Sequence, residues 1–170
     1  MNNNKQILQK YLEIESLLQK LFNQVNFCTT HCINKPISKF SKFARGDIGC
    51  CLGEFYRFAG KVMPKELDIL NKSRTEKYGK PQNNEDPIMG FEKPCSYHTK
   101  KGCILKDHKG IACITYVCTP YKEHLKKKYN IDYDYYEVRD FVESVFIGEV
   151  NEHKLEEFKN KVKVWIQNTK

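Results

Sequence analysis

A chain of 170 residues with 40% apolar and 29% charged residues has room for one domain with a small core, and it contains no apolar run long enough for a signal peptide or a membrane span. Its formal charge of +8 invites phosphate binding, yet that figure counts eight cysteines as neutral. Eight thiolates around two divalent ions would carry about −4 and halve it; with no Arg-rich stripe interleaved with aromatics, a nucleic-acid partner is not expected.

The first element is a helix. Ile7, Tyr11, Ile14, Leu18, Leu21 and Val25 recur at steps of four and three, the spacing of one buried helical stripe. Such a stripe packs on a core or on a second helix. From Phe27 to Cys118 the periodicity fades into short segments punctuated by Cys, Gly and Pro, and all eight cysteines lie there. Within it, Ser73 to Pro87 is polar and turn-rich, which predicts an exposed loop between two cysteine groups. Short strands are compatible with the stretch from Cys103 to Tyr116.

After Cys118 the helical pattern returns. Thr119 is a candidate N-cap followed by Pro120, and Lys126 to Lys128 read as a solvated helix face. Asp134 and Glu137 have capping-box spacing and open a helix with Val138, Phe141, Val142, Val145 and Phe146 on one side, ending near Gly148. Asn151 then starts a last helix carrying Leu155, Phe158, Val162, Trp165 and Ile166. Tyr129, Tyr133, Tyr135 and Tyr136 either line an interface or pack on their own helices. The expected fold is therefore mainly α. One domain spans residues 1–170, with an N-terminal helix (1–26), an irregular cysteine-rich metal-binding core (27–118) and a C-terminal helical segment (119–170) that packs on the first helix.

The cysteines carry the chemistry. No signal-like segment points to an oxidising compartment, so the cytoplasm is the expected location, and there metal explains eight cysteines better than disulfides do. They form two groups in sequence: Cys28, Cys32, Cys50 and Cys51, then Cys95, Cys103, Cys113 and Cys118. Four thiolates suit one tetrahedral zinc or one iron–sulfur cluster, so the count fits two such sites. Cys28 and Cys32 lie one helical turn apart and reach the same side. Cys50 and Cys51 are adjacent and point to opposite sides if extended; they supply two sites, or one ligand and one packed thiol. No gap matches the paired knuckles of a zinc finger or the run of a bacterial ferredoxin. His31, His98 and His108 are candidate replacements for a missing thiolate, whereas His124 and His153 are expected at the surface.

The run Pro94-Cys95-Ser96-Tyr97, Gly102-Cys103-Ile104-Leu105 and Ala112-Cys113-Ile114-Thr115-Tyr116-Val117-Cys118, preceded by the Cys50-Cys51 pair, resembles the YkgJ-type family of zinc- or iron-chelating proteins. The resemblance covers roughly residues 27–118. It implies a metal-ligand role for Cys28, Cys32, Cys50, Cys51, Cys95, Cys103, Cys113 and Cys118, and it implies no particular pathway. The same segment is similar to that of the flagellin lysine methylase, so a protein-modifying enzyme acting by methyl transfer is one alternative. A zinc-stapled adaptor for a protein or nucleic acid is the other.

Overall fold

A computed structural model describes residues 3–31, 60–62, 64–80, 95–99 and 102–170. It is mainly helical, as the sequence predicts. The elements in chain order are α1 (Asn3–Val25), α2 (Phe27–His31), α3 (Pro64–Tyr78), β1 (His98–Thr99), β2 (Gly102–Cys103), α4 (Ile111–Thr115), α5 (Thr119–Tyr129), α6 (Tyr135–Phe146) and α7 (Glu152–Asn168). Among the described residues no helix is long and apolar enough to cross a membrane.

The core is built on α1. Its stripe of Tyr11, Ile14, Leu18, Leu21 and Val25 is buried, chiefly against α6 and α7. Those helices bring Val138, Val142, Val145 and Phe146, then Leu155, Phe158, Val162, Trp165 and Ile166. Phe141 stacks on Phe158 with centroids 4.1 Å apart, and Tyr11 meets Phe146 at 4.9 Å. Burial of such side chains, each contributing roughly 1.5–3 kcal/mol, is the main stabilising force.

Local signals set the helix ends. The Asn151 side chain accepts from the Lys154 N–H at 2.9 Å, and Asp134 accepts from the N–H groups of Tyr136 and Glu137. Glu137 turns to Lys161 on α7, at 2.6 Å. Gly148, at φ +76°, closes α6 in a Schellman motif, with Glu149 N–H donating to Ser144 O and Gly148 N–H to Val145 O. Asn26 and Asn130, both left-handed, end α1 and α5. At the start of α5 the cap falls one residue earlier than predicted, on Cys118, with Pro120 in the first turn.

Two expectations for the middle of the chain need correcting. Residues 73–78, predicted as loop, are the last turns of α3, and Arg74 among them is 2% exposed. Leu67 and Leu70 anchor this helix to the core. Apart from Ile69 and Tyr78 the rest of the helix is polar, so no continuous apolar stripe announced it. Of the stretch from Cys103 to Tyr116, only Cys103 is in a strand: β1 and β2 form a minimal antiparallel pair, His98 opposite Cys103, and residues 111–115 are helical. Residues 81–87 of the predicted loop lie outside the described residues.

Candidate functional site

Two groups of thiols and one clamped connector hold the chemistry. The first group lies between α2 and α5. Cys118, Tyr121 and His124 follow one another at three-residue steps and so lie along one side of α5. Phe27 of α2 stacks on Tyr121 at 4.7 Å and on His31 at 4.4 Å, and its ring lies 5.1 Å from that of His124. Cys28, exposed on α2, lies near Tyr121. Burial pushes the Tyr121 phenol well up, and its neighbours Cys28, Tyr129 and Cys118 push it further. The Tyr121 hydroxyl is buried with no hydrogen-bond partner among the described residues.

The two histidines here are held differently. Nδ1 of His31 lies 3.0 Å from the Phe27 carbonyl. A carbonyl only accepts, so Nδ1 carries the proton. His124, expected at the surface, is instead half-buried among Phe27, His31 and Tyr129. Burial, then the charges of Lys128 and His31, lower its pKa and favour the neutral ring.

The second group forms a satellite of the core. Cys95 and Cys113 pack with Tyr78 against the buried Tyr97 and Leu105. Cys95 precedes β1, Cys113 lies on α4, and the exposed Cys103 ends β2. Cys113 also lies near Tyr11, whose phenol is raised by burial first, then by Glu15 and Cys113.

Between Cys103 and Cys113 the connector 104–110 is gripped from two helices. From α1, the Glu15 carboxylate accepts the His108 N–H on one oxygen at 2.8 Å and the Lys109 N–H on the other at 2.9 Å. Tyr11 donates to the Lys109 carbonyl at 2.6 Å. From α3, Arg74 Nε donates to the His108 carbonyl at 2.5 Å. Tyr78 donates to Asp107 Oδ1 at 2.8 Å and accepts the N–H groups of Lys106 and Asp107 at 3.1 and 3.2 Å. Lys77 pairs with Asp107 Oδ2 at 2.5 Å. His108 stands at φ +59°, in the left-handed region that non-glycine residues seldom adopt. The surrounding bonds hold it there.

Charge in the connector follows from these contacts. Burial pushes the Glu15 carboxyl up to about 7 against the pull of the His108 and Lys109 N–H groups. Asp107 is the reverse: burial would raise it, but hydrogen bonds from Lys77, His108 and Tyr78 bring it down to about 2. An open groove of about 720 Å³ runs beside them along α1, lined by Leu12, Glu15, Gln19, Lys20, Lys106 and Asp107 among others.

The eight predicted ligands divide as follows. Cys28 and Cys118 come from different sequence groups yet share the Tyr121 neighbourhood. Cys95 and Cys113 share the Tyr97–Leu105 cluster. Cys32, Cys50 and Cys51 lie outside the described residues. Among the described residues no three His, Cys, Asp or Glu side chains are grouped to hold a metal ion. His108 is not a replacement ligand here, because Nε2 bonds Ser73 Oγ at 2.9 Å and Nδ1 bonds Asp107 at 2.6 Å. His153 is exposed as predicted. Sequence reading passed over Glu15, Arg74, Tyr78 and Asp107. Only Glu15 carried a signal, as an acid inside the buried stripe beside Ile14 and Leu18.

These observations define a helical protein in which thiols share neighbours at two places, around Tyr121 and around Tyr97 and Leu105, with a clamped connector leading into the second. No family model matches the chain, and neither a curated protein nor a solved structure matches it.

Proposed function

We propose that this chain is a cytoplasmic, YkgJ-type metal-binding protein that holds zinc or an iron–sulfur cluster through its cysteine thiolates. The observation that carries the reading is that thiols distant in sequence share neighbours: Cys28 and Cys118 both lie near Tyr121, and Cys95 and Cys113 both pack on Tyr97 and Leu105. Soft thiolate donors suit both zinc and iron–sulfur centres. Each pair supplies two of the four donors such a centre takes, and Cys103, Cys32, Cys50 and Cys51 are the candidates for the rest. Bound metal would also add folding free energy to a small core.

Elemental analysis and an absorption spectrum of protein purified anaerobically test this. A colourless protein with stoichiometric zinc supports the structural-zinc form. A brown protein with broad absorption near roughly 400 nm, from thiolate-to-iron charge transfer, supports the cluster form. Protein that contains neither metal, and takes up neither on reconstitution, refutes the proposal.

A further inference from the structure

We infer that Tyr78 is a positioning residue for the Cys95–Cys113 pair, an inference that rests on the metal-binding reading above. Tyr78 joins the thiol cluster to the connector. Its ring packs in the same cluster as Cys95 and Cys113, against Tyr97 and Leu105. Its hydroxyl grips the connector between Cys103 and Cys113 three times, accepting from the Lys106 and Asp107 N–H groups and donating to the Asp107 carboxylate. One side chain thus links the packing of two thiols to the path of the backbone that joins Cys113 to a third.

A metal centre needs its donors held before the metal arrives, and partners outside the ligand set do this work. Tyr78→Phe keeps the ring and removes all three bonds. Asp107→Asn disturbs the same grip from the connector side. Asn151→Ala is the comparator: it deletes one bond, from the Lys154 N–H at 2.9 Å, at the start of α7, a helix that carries no cysteine.

Cobalt(II) titration of the full-length, reduced protein reads the effect, with circular dichroism of the apo forms run alongside. Tyr78→Phe and Asp107→Asn are expected to keep the apo spectrum, bind cobalt about 10-fold more weakly and show altered visible d–d bands. Asn151→Ala is expected to lower stability but leave those bands unchanged. Wild-type binding with unchanged bands and affinity in both grip variants overturns the positioning role alone. The same loss in Asn151→Ala reduces it to general stability and also overturns it. A wild-type protein that takes up neither cobalt nor a cluster rebuilt from iron and sulfide overturns the metal reading, and this inference with it.

Discussion

Glu15 gives the sharpest test of how the connector is held. The residue is 1% exposed, and its carboxylate faces donors: the His108 and Lys109 N–H groups and the Gln19 amide at 2.9 Å. Those bonds favour the ionised form, burial opposes it, and burial prevails, raising the group from 4.5 to about 7. An acid whose folded value exceeds its unfolded value contributes stability that is full below about 4.5 and is lost as pH rises to about 7. At 1.36 kcal/mol per unit, the loss across that window is about 3 kcal/mol. Glu15→Gln cannot titrate, so it lacks this slope. It also turns an amide N–H₂ toward donors, which costs about 1–3 kcal/mol at any pH. Urea unfolding of the reduced wild-type and Glu15→Gln proteins, from pH 4.5 to 8, isolates the effect because all other titrating groups are shared. The wild-type advantage at acid pH should shrink by about 3 kcal/mol by pH 8. Parallel profiles would refute the reasoning, and would mean that the three donors fully offset burial; an advantage that grew with pH would mean that they outweigh it.

Other perturbations probe separate links. Gly60, at φ +37°, leaves no room for a Cβ beside the buried Glu143 carboxylate, which also accepts the Lys61 N–H at 3.1 Å. Gly60→Ala should therefore cost about 1–3 kcal/mol in thermal or urea unfolding. Asn151→Ala removes the cap of α7 and should cost about 1 kcal/mol, measured the same way. For the metal reading, Cys28→Ser and Cys118→Ser should each deplete one centre, and Cys95→Ser and Cys113→Ser the other. Metal analysis of the four variants and the two within-pair doubles checks this: a double should lose no more metal than its singles, and fully additive losses would count against the pairing.

What sequence alone determined is everything that rests on local periodicity and end chemistry. The stripe from Ile7 to Val25 became α1, and the apolar faces after Asp134 and Asn151 became α6 and α7 under the caps that precede them. Burial of one face leaves a mark every three or four residues, so such helices can be read before they are seen. Tertiary structure decided the rest. α3 was hidden because its Arg74 is buried by a bond to the His108 carbonyl thirty-four residues away, and a polar side chain carries no mark of a distant partner. His108 was a candidate ligand by type and became a hydrogen-bonded wedge through Ser73 and Asp107. Of the tyrosines from 129 to 136, Tyr133 is core and Tyr136 stays 66% exposed, beneath the Arg139 guanidinium. The cysteines were legible as candidate donors because thiol chemistry is written in residue type. Their neighbours were not, because Cys28 and Cys118 come near the same Tyr121 ring only when α2 docks on α5.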